Sequence, residues 1–316
     1  MLSNKNCFRL EREFPFLIAF IVLYIIYTRI DLYKVIDTLK KTYWGLFFIG
    51  FVLFYFSIYL RGIRWRLLLK NIGFYGDKWA ITEILFISWF INVIVPLKLG
   101  DLYRSYLIHR KNEFPMSKTL GSVFTERIFD MVVLFTLFGI SGLYSFKTKL
   151  SLKVLYLLFS GFIMATILVI GLLLMKYFGA SIKGILPKRI GDIYGRFELG
   201  ALGSINKVHL IIAYTLIIWL LEAGRLYFVM SSLGLNLSMM LVIFVALASS
   251  LLTALPITPA GLGAVEFAMI EILALFGVDR NISVSVAILD RVISYWSIIP
   301  LGYLIFVRSG KRSCHR

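Results

Sequence analysis

Long apolar runs separated by short polar segments set the pattern of this chain. The runs at 14–30, 44–60, 122–146, 152–178, 208–233 and 283–307 each approach the roughly 20 residues that a helix needs to cross a bilayer, and they predict six full spans. Two further apolar stretches, 79–97 and 239–276, are interrupted. The first carries Pro96-Leu97-Lys98-Leu99-Gly100, and the second carries Pro256 followed by Pro259-Ala260-Gly261-Leu262-Gly263. Proline and glycine break a helix, and freed backbone polar groups are tolerated at membrane depth only when buried in protein or lining a wet cavity. An acid–arginine pair follows each motif: Glu126-Arg127 lie 26 and 27 residues after Gly100, and Asp290-Arg291 lie 27 and 28 residues after Gly263. Matched breaks and matched spacing predict two related halves, with broken elements near 79–113 and 239–277.

The positive-inside rule decides how these two elements are expected to run. If both enter and return on one side, that side receives 23 lysines and arginines and the opposite side seven, with Arg29, Arg127, Arg225 and Arg291 in or at the ends of spans. If the first crosses once and the second twice, the split becomes 12 against 18. The re-entrant arrangement is therefore expected, with both termini cytoplasmic. Three full spans then separate the elements, so the second enters from the opposite face. That is an inverted repeat, an arrangement that secondary transporters use around a midplane site.

Composition narrows the class. Of 316 residues 59% are hydrophobic and only 16% charged, with a mean hydropathy of +0.86, as expected of a polytopic membrane protein in one transmembrane domain, 1–316. Lysine and arginine outnumber aspartate and glutamate 34 to 17, an excess that an anionic lipid surface explains better than nucleic acid. Phe14–Ile30 is followed by charge and lacks an Ala-x-Ala site, so it reads as a span rather than a cleaved signal. Cys7 and Cys314 sit in polar tails, and His109, His209 and His315 show no ligand spacing, so neither a metal nor a cofactor is expected. No phosphate-binding Gly-x4-Gly-Lys loop appears, so no ATP engine is visible.

Charges inside the apolar elements carry the candidate chemistry: Glu83, Glu126, Arg127, Asp130, Glu222, Arg225, Glu266, Glu271, Asp290 and Arg291. Each costs about 2.5–3.5 kcal/mol at the bilayer centre on the insertion scale, so partners are expected. Arg127 with Asp130, and Glu222 with Arg225, are spaced to meet on one helix face; such pairs can be structural or functional. Asp290 and Arg291 are adjacent, about 100° apart on a helix, and each must reach another element. The planar fork of Arg127 and of Arg291 suits a phosphate. Lys98, Asp101 and Arg104 adjoin a broken helix, and with Arg61-Gly62-Ile63-Arg64-Trp65-Arg66 they are expected at headgroup level, where ordinary interfacial anchoring is the competing reading.

On these residues the sequence resembles the flippase-like transmembrane family that includes the membrane part of lysylphosphatidylglycerol synthase, the multiple peptide resistance factor. The resemblance rests on Arg64-Trp65 with Leu67-Leu68-Leu69, Pro96 with Lys98-Leu99-Gly100-Asp101 and Arg104, Glu126-Arg127 with Asp130, Pro256 with Pro259, Gly261, Gly263 and Glu266, and Arg291. Ala260 stands where the family often has a second glycine. The resemblance implies movement of a phospholipid or lipid-linked group between leaflets. The resistance factor's soluble aminoacyl-transfer domain has no counterpart in the sequence, so that activity is not expected.

The expectation is thus an all-α integral membrane bundle of about six spans plus two broken elements. It would act as a translocator rather than an enzyme, taking an anionic lipid in beside Lys98, Asp101 and Arg104 and past Glu126, Arg127, Asp130, Glu266, Asp290 and Arg291. Pro96, Gly100, Pro256, Pro259, Gly261 and Gly263 are the expected helix breakers. The alternatives are an enzyme on lipid headgroups or polyprenyl-phosphate sugars, with Asp130 or Glu266 as base, and a scaffold for a separate glycosyltransferase. For the topology, cysteines at Ser3, Lys188 and Ser309 should be shielded from an impermeant thiol reagent in intact cells and one at Lys149 should react. Outside labelling at Lys188 refutes the arrangement.

Overall fold

The computed structural model describes Thr28 and residues 31–95, 98–146, 152–254 and 258–314. The expected span at 14–30, Pro96 and Pro256 lie outside the described residues. All regular structure among the described residues is helical: α1 (Leu32–Lys40), α2 (Trp44–Asn71), α3 (Lys78–Ile94), α4 (Leu99–Asn112), α5 (Met116–Phe146), α6 (Leu152–Ile185), α7 (Lys188–Gly203), α8 (Val208–Ser232), α9 (Met239–Ala254), a 3-10 turn (Pro259–Gly261), α10 (Ala264–Leu275), α11 (Arg280–Arg291), a π-helical stretch (Val292–Trp296) and α12 (Ile298–Cys314). This is an all-α polytopic membrane protein. Among the described residues five segments are long and apolar enough to cross a bilayer: α2, α5, the 161–185 part of α6, α8, and 280–309. They coincide with the five expected spans that fall on described residues.

Aspartates open three of the helices. Asp31, Asp77 and Asp279 each accept hydrogen bonds from backbone N–H groups two and three residues on, satisfying donors that the first helical turn leaves free. Asp77 is exposed, and the Ala80 amide above all holds its carboxylate below the ordinary range.

Neither Pro/Gly stretch is a continuous helix. α3 and α9, at 17 and 16 residues, rise only about 25 Å, short of the ~30 Å hydrocarbon layer. The break before α4 falls at Lys98, which is left-handed at φ +52°, so Gly100 is not the breaker expected of it. Gly100 instead lies buried in the first turn of α4. The second break is built from Ala260 at φ +48°, Gly261 at +72° and Gly263 at +85°. At Gly261 no side chain fits, because a Cβ would stand 2.8 Å from Val265 Cγ2 and 3.1 Å from Thr253 Cα.

The chain divides into two compact units. One holds the described residues of Met1–Phe54, Trp89–Leu99 and Glu222–Arg316; the other holds Tyr55–Ser88 and Gly100–Leu221. In the second, α5 and α7 meet through small residues. A Cβ on Gly200 would strike the Lys118 carbonyl, one on Gly121 the Phe197 carbonyl, and the Thr125 hydroxyl donates to the Ala201 carbonyl at 2.8 Å. Helices in lipid gain by such close backbone approach, since burial of apolar surface offers them little. Gly200→Val should therefore lose about 1–3 kcal/mol by overpacking, read as a lower melting temperature in detergent. Gly171→Ala, with open space around the position, should not.

Candidate functional site

The buried stripe of α2 runs through Ser57, Ile58, Arg61, Arg64, Trp65, Leu68 and Leu69, at the three- and four-residue spacing of one helix face. Arg64 lies on that stripe with no exposed surface, so its guanidinium must be neutralised inside the protein. Its Nη1 donates to Asp130 Oδ1 at 2.5 Å and to Thr215 Oγ1 at 2.8 Å, and its Nη2 donates to Glu126 Oε1 at 2.9 Å. The Thr215 hydroxyl passes its own proton to the Ile211 carbonyl, so it is free to accept.

The other oxygen of Glu126 accepts from Arg104 Nη1 at 2.9 Å. Arg104 also lies 3.3 Å from Asp101 Oδ1 and is stacked 4.6 Å from the centre of the Trp65 ring. Asp101 in turn takes both Nε and Nη2 of Arg127, at 3.1 and 3.2 Å, in a two-pronged pair. Arg127 Nη1 then reaches Asp130 Oδ2 at 3.4 Å and closes the circuit. Arg64, Asp130, Arg127, Asp101, Arg104 and Glu126 form a ring of alternating charge in which every member touches two of opposite sign. Exposure is uneven around it: the Arg64 and Arg104 side chains are 0% and 1% exposed, whereas Arg127 is 33% and Asp101 16% exposed.

The first unit holds a related but open network. Arg225 lies 2.6 Å from Asp290 Oδ1 and 3.3 Å from Glu222, with its guanidinium over the Phe54 ring. Arg291 pairs with Glu266 Oε1 at 2.7 Å, and its Nη1 and Nη2 donate to the Ala260 and Gly261 carbonyls, both at 3.3 Å. Glu266 Oε2 accepts from the Gly263 amide at 2.7 Å. The adjacent Asp290 and Arg291 thus reach different elements, α8 and the turn before α10.

The nine charged residues singled out from sequence divide between these networks, except Lys98, which is partly buried at the break before α4. Arg104 is buried against Trp65 and bound to two acids. Arg64 joins the ring, a place not expected from the sequence. The α2 stripe was the signal, since an arginine three residues from Arg61 and four from Leu68 shares their face. Arg225 and Glu222, recognised as a pair, gain Asp290. Glu271 is bound at the surface to Arg280 at 2.9 Å. Among the described residues no group of three or more His, Cys, Asp or Glu side chains is arranged to hold a metal ion.

Broken apolar helices with arginine–carboxylate networks buried beside them define a multi-pass α-helical membrane protein with charged groups paired in its interior. The lysylphosphatidylglycerol synthase TM region family matches residues 14–302, and the chain belongs to that family. It is 40% identical over 218 residues to a UPF0104 membrane protein of Methanocaldococcus jannaschii, covering 69% of this chain and 93% of that one. A UPF0104 membrane protein of Pyrococcus horikoshii is 22% identical over 290 residues, covering 83% of this chain and 87% of that one. The glycosyltransferase AglD of Haloferax volcanii is 32% identical over 91 residues, 29% of this chain and 14% of that protein.

Removing one member of the ring tests its weight. Arg64→Met takes from Glu126 and Asp130 an arginine that binds both, leaving Asp130 with Arg127 and Glu126 with Arg104 and the more distant Arg127, and should cost about 3–5 kcal/mol, measured as thermal stability in detergent. Adding Asp130→Asn should recover a large part.

Proposed function

We propose that the protein moves an anionic phospholipid or lipid-linked group between the leaflets of the cell membrane, with the Arg127–Asp101 pair as the point where the lipid phosphate is taken up. The observation that carries this reading is the accessibility of Arg127, the one guanidinium of the ring with a third of its side chain exposed. Its fork is already engaged in the two-pronged geometry that a phosphate also accepts. A phosphate replacing Asp101 on that fork leaves Asp101 beside Arg104 and keeps Arg127 neutralised. The break at Lys98 puts the N-terminus of α4, the positive end of its helix dipole, next to the exchanging carboxylate, a setting that favours anions. The acyl chains remain in lipid throughout.

The partial likeness to a glycosyltransferase favours a second reading, in which the protein handles a lipid-linked sugar for a separate transferase. Both place a phosphate at the same fork, and the test separates transport from chemistry. Liposomes carrying the protein should expose a fluorescent anionic phospholipid of the inner leaflet to an external quencher faster than empty liposomes. Arg127→Lys keeps the charge but loses the fork, and should slow this about tenfold, the loss of one charged hydrogen bond. Asp101→Asn, which removes the competing carboxylate, should not slow it comparably. Wild-type rates in Arg127→Lys overturn the assignment, and turnover of the headgroup in detergent would make the protein an enzyme.

A further inference from the structure

Arg291 has the residue type and setting of a phosphate anchor, but its donors are already in use. Nε faces Glu266 at 2.7 Å, and Nη1 and Nη2 bind the carbonyls of Ala260 and Gly261. Those two carbonyls belong to the left-handed residues that make the turn before α10, and Ala260 holds that conformation without the freedom of glycine. Glu266 closes the loop from the other side by accepting from the Gly263 amide, the third residue of positive φ. One guanidinium and one carboxylate therefore satisfy three backbone groups of a turn that makes few hydrogen bonds of its own.

Arg291 is itself held in place. Its neighbour Asp290 binds Arg225 of α8, which fixes the end of α11, and the π-helical stretch begins at the next residue, Val292. A π-helical stretch departs from regular α-helical hydrogen bonding and often marks a functional site. Ser294 donates to the Asp290 carbonyl at 2.9 Å across the junction.

We infer that Arg291 is a positioning residue, a latch that holds the Pro259–Gly263 turn closed, and that it does not bind the lipid phosphate in this conformation. The inference refines the translocator reading by assigning phosphate capture to Arg127 and turn control to Arg291, and its test does not need transport. In a chain with Cys7→Ser and Cys314→Ser, a reporter Leu262→Cys in the turn is labelled with a maleimide in detergent. Arg291→Gln and Glu266→Gln should each raise the labelling rate by about tenfold, as expected when charged hydrogen bonds closing a local segment are lost. The two together should do no more than the larger, because both cut one latch. Arg291→Lys, able to reach Glu266 but not to span both carbonyls, should fall between. A second reporter, Ala287→Cys, sits on α11 at 2% exposure and labels only if the fold is lost. If Arg291→Gln labels there, Arg291→Lys carries the comparison. Unchanged labelling at Leu262 in both Arg291 variants overturns the latch. Where liposomes show transport, the latch predicts a lower maximal rate at unchanged half-saturating lipid in Arg291→Gln. A raised half-saturation not shared by Glu266→Gln makes Arg291 a substrate ligand instead. Absent transport in the wild type defeats the translocator reading alone.

Discussion

Neutralising Arg64 is the constraint on which much of the second unit depends. A guanidinium with no exposed surface, on a helix long enough to cross a bilayer, cannot be left to solvent, and two carboxylates of α5 meet it directly. Placing those carboxylates there fixes the face that α5 presents to α2. It also leaves each with spare acceptor capacity, which Arg104 of α4 and Arg127 of α5 take up. Asp101 then completes the ring, so the first turn of α4 is tied to α5 by charge. Three helices are held by one closed circuit, and Thr215 adds α8 to it.

The contacts of the first unit repeat much of this pattern. Arg225 on α8 meets Asp290 as Arg64 on α2 meets Glu126, and Arg291 meets Glu266 in the first turn of α10 as Arg127 meets Asp101 in the first turn of α4. The halves differ at more than one position: three residues after Arg127 stands Asp130, whereas three residues after Arg291 stands Ser294. Four residues after Gly100 stands Arg104, whereas four residues after Gly263 stands Phe267. The counterparts of Arg104 and of Asp130 are thus both uncharged. The fork of Arg291 is filled by turn carbonyls instead, which is why the two arginines, alike in sequence, have different surroundings.

Much of this was legible in the chain itself. Run length gave the spans, because a hydrocarbon layer of fixed thickness sets the length of its helices. The breaks were legible at Gly261 and Gly263, where backbone geometry demands glycine, but not at Lys98, whose left-handed conformation nothing in its residue type announces. Adjacency of Asp290 and Arg291 was enough to predict two separate partners, since no helix lets neighbours face one way. Arg104 lies beside basic and aromatic residues typical of an interface, and its partners were not legible there. Its burial depends on Trp65 and on acids from another helix, which no local pattern reveals. The same holds for the ring as a whole, whose members span positions 64 to 130.

The ring also bears on where a charged group could be exchanged. Breaking a pair at Arg64 or Arg104 would leave an uncompensated charge in a medium that cannot solvate it, so those contacts resist substitution by a ligand. At Arg127 and Asp101 part of each side chain meets the exterior, so solvent or a headgroup can compensate while the pair opens. Exchange is therefore cheapest at this edge. In the proposed exchange a phosphate would bring the charge that Asp101 withdraws, so the number of neutralised guanidiniums would stay constant.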